Sequence, residues 1–257
     1  MKWGKTSMAT GEQKKKALDA IRSNIERFGH HVYIVSGGPD PRFGYTVGVS
    51  EKQGVELILP GAAFFSAGDV HRIINDIVKE CGTPGISESM RFEIDGCGSF
   101  SLRAVHSSWT LQLIFGAFHY YNSKEISTLQ IVPDENHWTI DVPDMSQPWN
   151  PKDAPVWRWL QETWNYPASK DSIAITDLAS LRGKQVTEAC RWEEDEWEMF
   201  SSNGPDIPKE DCRAVSLGTL LGFDKSLSRV VNLPIGEGLW RERQGDWHEW
   251  KKRPTTD

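Results

Sequence analysis

Apolar residues recur at three- and four-residue steps through Ala17, Leu18, Ile21, Ile25 and Phe28. This spacing predicts a helix over 10–28 that Gly29 is placed to end. The period then changes. His31–Val35, Gly44–Val49 and Val55–Leu59 are three β-rich runs, separated by turn-like stretches at 37–41 and 51–54, so an antiparallel meander is the simplest pairing. Ser66 with Asp69 three residues on starts a second helix, because hydroxyl and carboxylate can each accept from a free amide. Val70, Ile73, Ile74, Ile77 and Val78 stripe that helix, and Gly82 closes it. Strands are expected at 90–94, 100–105 and 128–132. The segment 111–121 fits strand or helix, with helix the better fit.

Beyond residue 143 the pattern breaks up. Pro143, Pro148, Pro151, Pro155 and Pro167 interrupt a tryptophan-rich stretch that reads as a boundary, with a short helix over 157–164. Strands are expected at 173–175, 185–190, 197–200 and 239–242, helical turns at 217–221 and 226–231, and a mobile tail over 251–257. The expected fold class is α+β. Two units, each a mostly antiparallel sheet with a few packed helices, span 10–150 and 170–250 and are joined by a Pro/Trp-rich linker at 151–169.

The totals narrow the function classes. A chain of 257 residues, 38% hydrophobic and 25% charged, has the composition of an ordered globular protein. Its net charge of −7 argues against nucleic acid or an anionic membrane as partner. The start, 1–16, is polar and lysine-rich, and no run of eighteen apolar residues follows, so neither a secretory leader nor a membrane span is expected. Four cysteines without a Cys-x-x-Cys pair suit free thiols in the cytoplasm. No metal and no cofactor is expected, since none of the seven histidines forms a His-x-x-x-His pair.

The densest chemical signal is Arg191 to Asp206. Between Glu188 and Asp211 stand nine carboxylates against Arg191 and Lys209, interleaved with Trp192, Trp197 and Phe200 on what reads as a hairpin. Such a surface attracts a cationic partner, although a solvated hairpin tip explains the charges as simply. Trp192, Glu193, Glu194, Asp195, Glu196, Trp197 and Glu198 are therefore the candidate partner-binding residues. In the first half, Tyr45, Thr46, Glu56, His119 and Asp134 are a candidate ligand pocket, with Glu56 as a general base or a grip for a cation. The plainer alternative makes Tyr45 and Thr46 ordinary strand residues and Glu56 half of an ion pair. No catalytic residue is assigned: there is no Gly-x-Ser-x-Gly elbow, and Cys97 between two glycines fits a tight turn.

Two resemblances add to this. Phe28-Gly-His30, Phe43-Gly-Tyr-Thr-Val-Gly-Val49, Glu56-Leu-Ile-Leu-Pro-Gly61 and Leu129-Gln-Ile-Val-Pro-Asp134, followed by Gln147-Pro148, make residues 14–150 resemble the bacterial domain of unknown function 4262. His137-Trp-Thr139 departs from that family's glycine-bearing turn, and the family implies no activity. Gln185-Val186, Arg191, Trp197-Glu-Met-Phe200, Leu217-Gly-Thr-Leu-Leu221, Asp224-Lys-Ser-Leu227, Leu233-Pro-Ile-Gly236, Trp240-Arg-Glu242 and Trp250 make residues 170–250 resemble the domain of unknown function 2185, or type 33 immunity, family. That resemblance implies neutralising a cognate toxin by binding it. The expected function is thus a cytoplasmic, immunity-like binding protein. The alternative is a small-molecule hydrolase or transferase with its site in the first half.

Overall fold

The computed structural model describes residues 11–82, 85–243 and 245–250; the tail expected to be mobile, 251–257, lies outside the described residues. The chain divides into two compact units. The first runs to Ser36 and takes in Arg42–Trp138 and Val142–Asp153. The second takes in Gly37–Pro41, Thr139–Asp141 and the chain from Ala154 onward. Each is built on a mixed sheet of six strands, and the fold class is α+β.

In the first unit, α1 (Gly11–Phe28) turns its Ala17 and Ile21 inward. β1 (His31–Val35) and β2 (Phe43–Val47) pair antiparallel, and after the short α2 (Ser50–Gln53) so does β3 (Glu56–Pro60). The meander predicted from the turn residues is therefore present. α3 (Ala67–Glu80) begins with the reciprocal cap its sequence calls for: Asp69 N–H donates to Ser66 Oγ at 3.1 Å, and Ser66 N–H to Asp69 Oδ2 at 3.1 Å. Its Val70, Ile73, Ile74 and Ile77 pack on Leu57 and Leu59 of the sheet. β4 (Arg91–Ile94) and β5 (Gly98–Ala104) form a hairpin. The ambiguous segment is helical, in two pieces, α4 (Ser107–Leu113) and α5 (Phe115–Tyr121), broken at Ile114. β6 (Thr128–Pro133) then enters between β3 and β5, parallel to β3, giving the order β1-β2-β3-β6-β5-β4.

The second unit begins with a 3-10 helix, Pro155–Leu160, where a linker was expected. Its Val156, Trp157, Trp159 and Leu160 are buried. The indoles are buried because each N–H finds a carbonyl: Trp157 Nε1 donates to Asp141 O at 3.0 Å and Trp159 Nε1 to Gly218 O at 2.9 Å. β7 (Ile173–Asp177), α6 (Leu178–Leu181), β8 (Glu188–Arg191), β9 (Glu196–Phe200), β10 (Cys212–Ser216), α7 (Leu217–Phe223), β11 (Gly238–Trp240) and β12 (His248–Trp250) follow, in the sheet order β10-β7-β9-β8-β11-β12. β10 has no counterpart among the expected strands. Its Cys-Arg-Ala-Val-Ser run is polar at both ends, and only pairing with β7 marks it as a strand.

α7 explains two glycines of the Leu217–Phe223 run. A Cβ on Gly218 would stand 2.1 Å from Pro39 O, and one on Gly222 2.6 Å from Pro155 O. Backbone cannot yield as a side-chain tip can. Gly218→Ala should therefore lower unfolding stability by about 3 kcal/mol, the upper range for an overpacked site. Urea denaturation checks this, and an unchanged midpoint would mean that the close approach is absent.

Candidate functional site

Three clusters hold the candidate site residues named above, apart from Tyr45 and His119. The first surrounds Glu56 at the start of β3. Its side chain is fully buried. Oε2 accepts from Thr46 Oγ1 at 2.5 Å; Oε1 accepts from Gly48 N–H and Ser50 N–H at 3.0 Å each and from Tyr121 Oη at 2.5 Å. Thr46 Oγ1 in turn accepts from Leu57 N–H at 2.8 Å. Burial pushes the Glu56 carboxyl above its ordinary range, and the bonds from Thr46, Tyr121, Ser50 and Gly48 pull only partly against it. Four donors saturate this carboxylate, with no arginine and no open face. It fastens the loop between β2 and β3, which is a structural task.

The other proposed pocket residues do not join it. Tyr45 is buried on the same sheet, stacked on Tyr33 at 5.1 Å, and its Oη accepts from Gly116 N–H at 3.0 Å. His119 is exposed on α5. Asp134 follows the far end of β6, whose first residue pairs with Glu56. Six residues at ~3.3 Å each put roughly 20 Å between the two carboxylates. Sequence reasoning missed Tyr121, the fourth partner of Glu56; only the break at Ile114 orients it, and no spacing rule points to that.

The second cluster holds Asp134 itself. Asp134 Oδ2 accepts from Ser99 N–H at 2.8 Å, and Oδ1 from Asn136 N–H at 2.9 Å and His137 Nδ1 at 2.7 Å. Burial raises its carboxyl, but the Ser99 N–H and His137 more than offset that, and the net shift is downward. The His137 ring packs against Phe64 at 4.7 Å and Phe65 at 5.6 Å. Asp134 thereby caps the turn after β6.

The third cluster is the acidic hairpin of the second unit. β8 and β9 pair in the register Arg191↔Trp197, so the turn is 192–195. Alternation along β9 turns Trp197 inward, fully buried, and leaves Glu196 and Glu198 on the other face. Trp197 is thus a core residue, contrary to its expected place as a surface anchor. Trp192 is half-buried, and its Nε1 donates to Glu198 Oε2 at 2.6 Å. Glu193, Glu194 and Asp195 are exposed. Arg191 does not neutralise them. Its guanidinium donates to the carbonyls of Glu193 at 3.2 Å, Glu194 at 2.7 Å and Leu233 at 3.0 Å, holding the backbone of the turn, while Asp195 Oδ1 accepts from Ser172 Oγ at 3.2 Å.

Exposed apolar groups flank that turn. Ile173 N–H, at the start of β7, donates to Asp195 O at 2.9 Å, and Gly236 N–H, just before β11, donates to Arg191 O at 2.7 Å. Ile173 keeps 39% of its surface exposed and Ile235 keeps 59%. Three carboxylates therefore stand at the end of the sheet between two isoleucines, with the edge of Trp192 beside them.

The four cysteines are free thiols. Among the described residues, no group of three or more potential ligands is placed to hold a metal ion, and no helix is long and apolar enough to cross a membrane.

Residues 24–139 match the family model described as Domain of unknown function (DUF4262). The matched span runs from the last turns of α1 through β6 and its Asp134 cap, covering the Glu56 cluster and all six strands of the first sheet. No curated protein and no solved structure matches the chain. The match ends at Thr139, short of Ala154, from which the main part of the second unit runs.

Proposed function

We propose that the chain is a cytoplasmic protein-binding protein of the immunity kind, docking a cationic protein, a cognate toxin, on the acidic end of its second sheet. One observation carries this: Glu193, Glu194 and Asp195 stand exposed on a turn whose backbone Arg191 holds, with Ile173 and Ile235 uncovered on either side. A carboxylate group of this kind steers a basic partner, and fixed apolar neighbours supply area that orders at little entropic cost. The combination of a polar charge and an apolar rim is what an exposed hairpin tip with only a solubilising role does not need. The Glu56 cluster, buried and with four donors on its carboxylate, supports the hydrolase or transferase alternative less well.

Co-purification tests the proposal, using the tagged chain expressed in its native host with neighbouring reading frames. A stoichiometric, salt-sensitive complex with a basic protein is expected. No partner, with the chain abundant and folded, overturns it. Within such a complex, neutralising the turn by E193Q, E194Q and D195N together should slow association about tenfold at low salt, while Trp192→Ala with Ile235→Ala should weaken affinity at least ~30-fold through dissociation.

A further inference from the structure

In the first unit a cleft of about 690 Å³ opens where the last turn of α1, the start of β1 and the outer side of α3 meet. Among the described residues no carboxylate lines it, in a chain whose net charge is −7. We propose that this cleft binds a small organic anion, a carboxylate or a phosphate carried on an apolar body, through the imidazoles of His31 and His71 and the ammonium groups of Lys52 and Lys79.

Two asparagines hold the imidazoles of the cleft. Asn24 Nδ2 donates to His31 Nδ1 at 2.7 Å, which makes Nδ1 the acceptor and leaves Nε2–H as the ring's donor. Asn75 Nδ2 donates to His71 O at 2.7 Å and lies 3.0 Å from His71 Nδ1 and 3.5 Å from Nε2, so it fixes the place of that ring rather than its tautomer. Asn75 Oδ1 is taken up by His30 Nε2 at 2.8 Å, so one amide orients two rings and its acceptor is used within the protein. Beside Gln53 Oε1, a buried acceptor without a partner, the wall offers donors: the Nε2–H of His31 and two ammonium groups, with the His71 ring next to them. His31 titrates below its ordinary value, first because it is buried and then because His30 and His71 lie near, which places the three rings together and keeps His31 a neutral donor at pH 7.

Lys52 reaches inward across the end of α1. Its Nζ lies 3.7 Å from the point where a Cβ on Gly29 would stand, and Gly29, at φ +84°, carries none. Lysines in last helical turns complement helix C-termini, which accounts for Lys52 and Lys79 on their own elements. It does not account for their convergence with two oriented imidazoles in one concavity. Phe28, 63% exposed at the rim, gives the apolar body of a ligand a surface to cover. The floor is fixed through Glu56, which accepts from the amides on both sides of Val49, a lining residue.

The test is a titration of the full chain with phenyl phosphate, benzoate and benzylammonium, followed by calorimetry and by the histidine ring signals in NMR. Phenyl phosphate or benzoate should bind and shift His31 and His71; whichever binds more tightly identifies the anion, and benzylammonium should leave the rings unmoved. Lys52→Met with Lys79→Met should cost at least tenfold in affinity, and since both side chains are exposed the thermal midpoint should hold. His71→Gln gives a second variant, with the same direction of loss. The inference is overturned if neither anion moves the ring signals at millimolar concentration, if benzylammonium binds as well, or if the double lysine variant binds unchanged.

Discussion

Trp197→Ala should unfold the second unit rather than disarm a binding surface. The ring has no exposed area, its Nε1 reaches Val230 O at 3.4 Å, and the Arg191 guanidinium lies 4.7 Å above its plane. Truncating a buried indole leaves a cavity that neighbouring strands cannot fill, which costs about 3–5 kcal/mol. Domains of this size are commonly stable by only ~5–15 kcal/mol, so much of the margin would go. Urea denaturation followed by far-UV circular dichroism checks it. Trp192→Ala is the control: half-buried and bonded to an outward carboxylate, it should move the midpoint far less. Equal losses from the two would mean that the hairpin turn is as much core as β9.

The same pair shows what was legible in the chain. The charge run was conspicuous and does sit at an exposed turn. The two tryptophans were grouped by sequence distance, however, whereas the period-two alternation of Glu-Trp-Glu-Met-Phe already sends Trp197 to the face opposite Glu196 and Glu198. Helices with caps and stripes were legible for local reasons, α3 most fully, because Ser66, Asp69 and the apolar stripe all lie within one element. What escaped depends on remote pairing. β10 is a strand only because β7 lies beside it. Glu56 and Asp134 looked like partners until β6 proved to run parallel to β3, which carries Asp134 to the opposite end of the sheet. The histidines of the cleft, lacking metal spacing, are assembled by amides 7 and 45 residues away in sequence. Only His71 and Asn75, one helical turn apart, left a local trace.

Glu56→Ala should be the most damaging change in the first unit. It strips the acceptor from Ser50 N–H and from the Thr46 and Tyr121 hydroxyls, while Gly48 N–H keeps Tyr121 Oη at 2.8 Å; three unsatisfied donors at ~1–3 kcal/mol each, partly relieved by rearrangement, imply a loss of about 3–5 kcal/mol. Glu56→Gln is the more informative variant, because its cost should depend on pH. The carboxyl titrates above its ordinary value of 4.5 in the folded chain, so the folded state binds this proton more tightly than the unfolded one. Its contribution is therefore complete below pH 4.5 and is lost as pH rises through the elevated folded value. Gln does not titrate. The stability difference between wild type and Glu56→Gln should be largest near pH 4 and shrink toward neutral pH, as measured by urea denaturation across that range. A difference that grows with pH would mean that the carboxylate is stabilised, not penalised, by its site.

Pro39 lies early in the chain, yet its carbonyl accepts from Ser216 Oγ at 2.9 Å and leaves no room beside Gly218. These partners are 177 residues apart. On a ribosome adding ~5–20 residues per second, Pro39 emerges roughly 10–35 s before Ser216 does. During that interval the segment Gly37–Pro41 waits in the nascent chain, while the strands on either side of it, β1 and β2, have all they need to pair. Completion of the second unit is thus timed by the synthesis of β10 and α7, and a ribosome that stalls before them would leave that earlier loop without the helix it serves.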